Sequence, residues 1–444
     1  MRRGSVCVTA VGVVLSACGG AAPQGMEPGP QRPTRIVPGI TVLVEDSLSL
    51  VAGKRIGLIT NQAGVNEKGV SDIDILRHPP AKPQDKSKKG PPPPVPAPPK
   101  LVVLFSPEHG IRAAEDRPNV QSGVDPGSGL PIISLYGATT LPPPDSALNG
   151  LDALLIDLPD IGARPWTYPA TMLYAMRAAA AHHLPVLVLD RPNPITGDYV
   201  EGPVLDSTVA YAGSQSPQHP ARPTAIYPIP MRHGMTIGEL ARMYNDVLDL
   251  KADLHVIPVA GWRRSIWFDQ TKLPWVNPSP NMPSLASAAL YAGLVWLEAT
   301  NVSVGRGTDA PFQRFGAPWM DAKRVAALLN ERLMPGVKFK VEDFTPVHPT
   351  DEKYAGKHVH GVRVEVVNRN VLQTSRVGAA VLWALIAAHK DSLRIREQSF
   401  LLLYGVPGAL NSFLSGEDPD AMIDREVPAT VAFEQMSRRY WLYR

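Results

Sequence analysis

The sequence predicts an α/β protein in which a doubly wound parallel sheet is followed by a smaller, mixed α+β domain. Five short apolar runs, each bounded by glycine, proline or polar residues, alternate with helical segments in the first part of the chain. Runs that are apolar on both faces are typical of strands buried on both sides in a parallel sheet. After about residue 276 the pattern becomes mixed, which favours a second domain.

The individual elements are predicted from length, apolar content and capping residues. The strands of the sheet are predicted at 55–60, 101–105, 131–136, 151–158 and 185–190. A helix is predicted over 168–183, and another begins at Thr236, because Thr236 and Glu239 have the spacing of a capping box. In the second domain, helical runs are predicted at 285–298 and 377–388, with strand-like alternation at 362–367.

The composition indicates an ordinary globular protein. The 444 residues include 44% hydrophobic residues, which is enough to bury a sizeable core. The formal net charge is only +3, from 44 basic and 41 acidic side chains, so no strong field attracts polyanions. Nucleic acid is therefore excluded as an expected partner.

The first 37 residues indicate export. Two arginines, an apolar stretch and the string Leu-Ser-Ala-Cys predict a signal peptide at 1–18 with Cys18 as a lipidated first residue. The expected location is the periplasmic side of a bacterial membrane, the outer one because glycine follows Cys18, with membrane contact through the lipid only. A plain cleaved signal is the alternative. Residues 19–37 are rich in Gly, Pro and Gln, which predicts a disordered tether.

The mature chain is divided by composition. The first domain is predicted at 38–276 and the second at 277–444, and no internal disulfide is expected because Cys7 and Cys18 are the only cysteines. Residues 79–99 contain ten prolines, which excludes a helix or a central strand. This stretch is interpreted as an extended surface insertion, a spacer rather than a proline motif that binds a partner.

Polar side chains follow four of the predicted strands. In an open parallel sheet, ligands bind beyond the carboxyl ends of the strands. Glu108 is the strongest candidate, since it lies in a turn between proline and His109-Gly110. Asp157 and Asp190 also follow strands, but instead of binding a ligand either one could cap the following turn or pair with a nearby arginine. The candidates at this edge are Asn61, Glu108, His109, Asp157, Asp160, Arg164, Tyr168, Arg191 and Asn193.

Further candidates lie later in the chain. Arg306, flanked by two glycines, is suited to a carboxylate or phosphate, although it could instead pair with a protein acid. His233, Asn281 and Asn301 are candidate substrate contacts. The chain has no G-x-G-x-x-G, Walker A, H-E-x-x-H or G-x-S-x-G motif, so no cofactor and no catalytic metal are expected.

Eight strings in the sequence resemble the NamZ-type exo-β-N-acetylmuramidase family, formerly a domain of unknown function. The strings are GKRIGLITNQAGV, LFSPEHGIR, GLPIISLYG, DLPDIGARPWTY, VLDRPNPITGDYVEGPVLD, PIPMRHGMTIGELA, LPWVNPSPNMP and EATNVSVGRGTDAPFQRFGAPW. The resemblance runs from about residue 40 to the C-terminus.

This resemblance implies a Rossmann-like first domain, a smaller second domain, and an active-site cleft between them. It implies hydrolysis that releases terminal, non-reducing N-acetylmuramic acid from peptidoglycan fragments, with Glu108 as the leading catalytic carboxyl. Asp157, Asp160 and Tyr168 are candidates for the second catalytic role, and the acetamido group of the substrate is a further possibility. Arg306 or Arg164 is our candidate for the lactyl carboxylate of the substrate.

Three positions depart from the family pattern, namely Pro159, Ala299 and Gln313, where Gln, Gly and Glu are expected. Loss of an acid at 313 motivates one alternative, a catalytically silent lipoprotein that binds muropeptides. A cell-wall amidase or esterase is disfavoured by the missing nucleophile and metal motifs. Other cell-wall hydrolases are candidate partners of an enzyme that trims their products.

Overall fold

The computed structural model describes Met1 and residues 35–80, 97–112, 120–137, 141–211 and 223–444. The predicted signal peptide with Cys18, most of the tether and most of the proline-rich insertion lie outside the described residues. Residues 35–444 form one compact unit.

Among the described residues, seven strands form the main sheet, in the order β3-β4-β2-β1-β5-β6-β9. All neighbours pair in parallel except β3, which is antiparallel to β4 at one edge. The strands are β1 (Arg55–Thr60), β2 (Lys100–Ser106), β3 (Gly123–Val124), β4 (Pro131–Ser134), β5 (Ala153–Asp157), β6 (Val186–Leu189) and β9 (Leu254–Ile257). Strands β7 (Glu201–Val204) and β8 (Pro230–Arg232) form a separate antiparallel ribbon.

Helices cover both faces of this sheet. The helices of this part are α1 (Gly39–Asp46), α2 (Asp72–Arg77), α3 (Asp145–Leu148), α4 (Tyr168–Ala181) and α5 (Ile237–Val247). Helices α1 and α2 pack with Ile56 and Leu58 of β1, while α4 and α5 pack with Ile59 on the opposite face. Alternate residues of one strand thus enter two different cores, as expected for a strand buried on both sides. The predicted doubly wound α/β fold is confirmed.

The second part of the chain combines a small antiparallel sheet with helices. The sheet has the order β10-β12-β11, with β10 (Arg314–Ala317), β11 (Val337–Val341) and β12 (His360–Val366). The helices are α6 (Leu285–Leu294), α7 (Ala322–Glu331), α8 (Thr374–His389), α9 (Glu397–Tyr404), α10 (Ala409–Leu414) and α11 (Pro419–Ser437). In the described part of the chain, no helix is both long and apolar enough to cross a membrane.

Helix α5 begins at the predicted capping box. The Thr236 hydroxyl accepts from the Glu239 amide at 3.2 Å, and the Glu239 carboxylate accepts from the Thr236 amide at 3.1 Å. Both bonds satisfy donors that a helix N-terminus otherwise leaves unpaired.

Asp190, directly after β6, joins the sheet to helix α5 and to the C-terminus. Its buried carboxylate accepts from the Gly238 amide at 2.8 Å, the Thr236 hydroxyl at 2.7 Å and the Tyr443 hydroxyl at 2.5 Å. Burial raises the pKa of Asp190 to about 7, although these donors lower it. Of the two roles open to Asp190 in the sequence, the turn and helix cap is the one observed.

The raised pKa of Asp190 predicts a pH-dependent stability. Between about pH 4 and pH 7 the folded protein binds more protons at Asp190 than the unfolded chain does, so stability falls as pH rises. We expect the free energy of unfolding to fall by about 2 kcal/mol between pH 5 and pH 8 through this group, and Asp190→Asn to remove that component. Urea denaturation of both proteins at pH 5, 6, 7 and 8 measures it. Identical slopes in the two proteins would contradict the assignment.

Candidate active site

Glu108 lies in the turn that follows β2 at the carboxyl edge of the sheet. The two residues after it have positive φ angles, 70° for His109 and 77° for Gly110. A left-handed conformation is unfavourable for a histidine side chain, so the surrounding structure must hold this turn in place. His109 is buried, and Glu108 is half-buried. The turn therefore fixes the carboxylate of Glu108 while leaving it partly accessible.

The Glu108 carboxylate is oriented by the residue that precedes helix α4. The Thr167 hydroxyl donates to Glu108 Oε2 at 2.5 Å. Thr167 is the N-cap residue of α4, yet its side chain makes no capping bond to that helix. The hydroxyl is thus used to position the carboxylate instead of the helix end, which identifies Thr167 as a site residue that the sequence did not indicate.

Tyr168 and Asn61 are hydrogen-bonded to each other close to Glu108. The Tyr168 hydroxyl donates to the Pro278 carbonyl at 2.6 Å and accepts from Asn61 Nδ2 at 2.9 Å. Burial raises the pKa of Tyr168 well above its usual range, and the charge of Glu108 raises it further. Tyr168 is therefore a neutral phenol at neutral pH. Asn61 and Tyr168 therefore lie near Glu108, and both donate to the carbonyl of Pro278, at the predicted start of the second domain.

Residues from the second part of the chain also lie near Glu108. They are Tyr291, Glu298 and Arg306. Burial raises the pKa of the Tyr291 phenol well above its usual range, and the carboxylates of Glu298 and Glu108 contribute to that increase. Both carboxylates are therefore within electrostatic reach of one hydroxyl. Trp166 packs edge-on against the Tyr291 ring, with centroids 6.1 Å apart. We call Glu108, Thr167, Tyr168, Tyr291 and Glu298 the Glu108 cluster.

Arg306 is paired within the protein. Its Nε and Nη2 atoms contact Glu298 Oε1 at 2.7 and 2.5 Å, and Nη1 donates to Thr350 Oγ1 at 3.3 Å. The acid partner that the sequence left open for Arg306 is therefore Glu298. Asn281 Nδ2 donates to the same Thr350 oxygen at 3.3 Å, so the structure brings the two predicted residues Asn281 and Arg306 together.

Asp160 lines a small cavity of about 50 Å³ at the carboxyl edge of the sheet. The walls also include Pro159, Arg191, Phe268, Trp275 and Pro278. Asp160 Oδ2 accepts from the Gly162 amide at 2.7 Å and lies 3.2 Å from His233 Nε2. Its Oδ1 atom is buried and has no hydrogen-bond partner among the described residues. The cavity shares Pro278 with the hydrogen bonds of Tyr168, so it adjoins the Glu108 cluster.

Asp157 and Arg191 are paired with each other. Arg191 Nη2 donates to Asp157 Oδ2 at 2.8 Å, its Nε contacts Oδ1, and Nη2 also donates to the Val65 carbonyl at 3.1 Å. A second buried acid, Asp72, lies 3.7 Å from the same guanidinium. Burial raises the pKa of Asp72, and the neighbouring Asp157 raises it further. Asp157 is completely buried, which indicates a structural ion cluster below the edge of the sheet.

Three other predicted residues are engaged in structural contacts. Arg164 is buried and donates to the carbonyls of Leu402, Leu403 and Tyr404 at 3.2, 2.7 and 2.9 Å, so it caps the C-terminus of α9. Asn193 Nδ2 donates to the Met235 carbonyl at 2.9 Å, and Asn301 Nδ2 donates to the Ser392 carbonyl at 3.0 Å. These three side chains donate to backbone carbonyls outside the Glu108 cluster, although the charge of Arg164 acts on Tyr291 and lowers the pKa of its phenol.

Gln313 occupies a polar pocket at the start of α6. Its Nε2 atom donates to the Ser287 hydroxyl at 3.0 Å, and its Oε1 accepts from Arg363 at 2.9 Å. The side chain is 9% exposed. In this chain the position serves to tie α6 to β12 and bears no free carboxylate.

The matches to known proteins extend over almost the whole chain. The family model described as "Exo-beta-N-acetylmuramidase NamZ, N-terminal" matches residues 56–286, and the corresponding C-terminal model matches residues 289–443. A curated relative, the peptidoglycan beta-N-acetylmuramidase NamZ of Bacillus subtilis (strain 168), is 36% identical over 426 residues, which cover 95% of each chain.

Two crystal structures of DUF1343 family proteins from Bacteroides fragilis NCTC 9343 are similar in fold. One superposes with a TM-score of 0.79 at 33% identity, covering 93% of this chain and 100% of that one. The other has a TM-score of 0.69 at 27% identity, covering 93% and 99%. With both family models matched in order and a relative aligned over nearly the full length, this chain belongs to the exo-β-N-acetylmuramidase NamZ family.

Proposed function

We propose that this protein is an exo-β-N-acetylmuramidase that releases terminal, non-reducing N-acetylmuramic acid from peptidoglycan fragments. The observation that carries the proposal is the partly accessible Glu108 carboxylate, which Thr167 holds at 2.5 Å where the two domains meet. Family membership and the name of the Bacillus subtilis relative support the substrate.

Glycoside cleavage requires an acid that protonates the leaving oxygen. Glu108 suits this role because it combines a fixed orientation with access to solvent. One carboxylate oxygen is bound by Thr167, which leaves the other to face a glycosidic oxygen. A half-buried carboxyl on a strained, well-held turn is also typical of catalytic groups.

A second group must assist at the anomeric carbon, either as nucleophile or as base. Of the three candidates from the sequence, the contacts favour Asp160. The Asp157 carboxylate is held in an ion pair with Arg191. The Tyr168 hydroxyl is uncharged and donates its proton to the Pro278 carbonyl. Asp160 has one carboxylate oxygen without a hydrogen bond from the described residues, and it lines a cavity.

The reaction is tested by product analysis. The purified protein is incubated with a chromogenic β-N-acetylmuramide, with a disaccharide that has muramic acid at its non-reducing end, and with a muropeptide. Mass spectrometry then identifies the released molecule. Free N-acetylmuramic acid supports the proposal. Free peptide or acetate would overturn it in favour of an amidase or esterase. Binding of the disaccharide in calorimetry without any release would indicate a silent binding protein.

We further propose that the chain is exported and anchored through a lipid on Cys18, facing the periplasm. The support is the sequence of residues 1–18. We expect Cys18→Ala to move the protein from the membrane fraction to the soluble fraction of cells that express it, and to abolish labelling by radioactive palmitate. A wild-type protein that takes up no palmitate would contradict the lipid anchor.

A further inference from the structure

Two histidines and one aspartate share a face of the small antiparallel sheet. Val341 pairs with Val362, and Phe344 forms a bridge with Val359, so the same register places Asp343 opposite His360. His358 precedes His360 by two residues and therefore lies on the same face of the strand. All three side chains are exposed, and their ligand atoms lie within 4.8 Å of one another. Backbone pairing thus brings the three groups together.

Each histidine lies at a long hydrogen-bond distance from the Asp343 carboxylate, a separation that also allows an ion to bind between the groups. His358 Nε2 lies 3.3 Å from Asp343 Oδ2, and His360 Nδ1 lies 3.3 Å from Asp343 Oδ1. A charge-assisted hydrogen bond is usually shorter, at about 2.7–2.9 Å. Ligands bound at about 2.0–2.2 Å to a tetrahedral zinc ion are separated by about 3.3–3.5 Å. The two observed distances, each to a different oxygen of Asp343, are close to this separation, and all three ligand atoms lie within 4.8 Å of one another.

We propose that Asp343, His358 and His360 bind a divalent transition-metal ion, with Zn²⁺ as the best-matched ion. Two imidazoles and one carboxylate form a ligand set typical of Zn²⁺, and a water molecule would complete the tetrahedron. Mg²⁺ and Ca²⁺ are disfavoured because they prefer oxygen ligands, and only one of these three groups supplies oxygen. The ion has no part in the proposed hydrolysis.

The position of the three ligands gives the ion a structural role. Asp343 precedes and His358 follows the loop 344–357, so an ion bound to both would fix the two ends of this loop together. The middle of the loop contacts the segment 302–306. The Thr350 hydroxyl accepts from Arg306 at 3.3 Å, and Lys353 donates to the Val302 carbonyl at 3.0 Å. Metal binding is therefore expected to stabilise the loop that holds Arg306.

The test is metal binding to the untagged protein. Calorimetric titration with Zn²⁺ should show one equivalent with a Kd on the order of 10 µM. Co²⁺ should give the visible absorption bands of tetrahedral coordination. We expect the double variant His358→Gln, His360→Gln to weaken binding by at least about tenfold. Limited proteolysis should show slower cleavage within 344–357 when Zn²⁺ is added, in the wild type only.

A matched control is provided by His255, an exposed histidine that lies 3.2 Å from Asp253 and lacks a second histidine partner in that pair. His255→Gln should bind Zn²⁺ as the wild type does. Circular dichroism checks that the double variant is folded. The proposal is overturned if the wild type binds no stoichiometric Zn²⁺, or if the double variant binds it as tightly as the wild type. Loss of binding in His255→Gln alone would also overturn it.

Discussion

Replacing Glu108 with glutamine is expected to lower kcat for a muramic-acid-terminated disaccharide by about 10²–10⁴-fold, with little change in KM. Glutamine keeps the size of the side chain, and its carbonyl oxygen can still accept the hydrogen bond of Thr167. It cannot deliver a proton to the glycosidic oxygen, so the loss falls on the chemical step. Steady-state kinetics on the disaccharide, with release of N-acetylmuramic acid as the readout, measures this effect.

Comparing two substrates with different leaving groups tests whether Glu108 acts as a general acid or only contributes to the shape of the site. An aryl muramide releases a stable phenolate and needs less protonation, so Glu108→Gln should impair it less than it impairs the disaccharide. Equal losses on both substrates would count against the acid role, as would a variant that retains more than about a tenth of the wild-type rate. Glu45→Gln, an exposed acid on α1, serves as the surface control.

Thr167 supplies a further check, as a positioning residue. Thr167→Val removes the hydroxyl that donates to Glu108 and should lower kcat without changing KM. Thr167→Ser keeps the hydroxyl and should restore most of the rate. A merely structural role would affect the stability of both variants without this rescue.

The sheet was predictable from sequence because its central strands are apolar on both faces. The strand predicted at 55–60 coincides with β1, and those predicted at 101–105 and 185–190 agree with β2 and β6 within one residue at each end. Strand β9 was not predicted, since it lies at the edge of the sheet and only Ile257 of its four residues is buried. Helix α1 also went unpredicted. Its residues include several β-branched side chains, and contacts with β6 and β9 stabilise it in spite of that local preference.

The sequence placed polar residues at the correct edge of the sheet but did not reveal which of them pair with one another. Arg164 was predicted to contact substrate, but its side chain binds three backbone carbonyls. The sequence did not reveal this, because those carbonyls lie 238 to 240 residues away along the chain. Tyr291 carried no local signal, and Glu298 was only the first residue of a family string, since their proximity to Glu108 depends on how the two parts of the chain pack together. Sequence motifs report the ends of strands, whereas site geometry depends on long-range packing.

The ion cluster of Asp72, Asp157 and Arg191 illustrates the same point in energetic terms. Both aspartate side chains are completely buried, and a single guanidinium serves the two. The two carboxyl groups also contact each other, and they are tolerated at this depth because the guanidinium is close to both and because burial and Asp157 raise the pKa of Asp72. Removal of the cation should therefore cost more than the loss of a surface ion pair.

We expect Arg191→Ala to lower the free energy of unfolding by about 3–5 kcal/mol, since it leaves the two buried acids without a cation beside them. Urea denaturation followed by circular dichroism measures the change. Adding Asp72→Asn to this variant should recover part of the loss, because it removes one of the two repelling acids. Lys340→Ala, which breaks an exposed pair with Glu365 at 2.8 Å, should cost no more than about 1 kcal/mol. If Arg191→Ala were as mild as Lys340→Ala, the cluster would not be the structural element described above, and Arg191 would be available to bind substrate at the cavity wall that it lines.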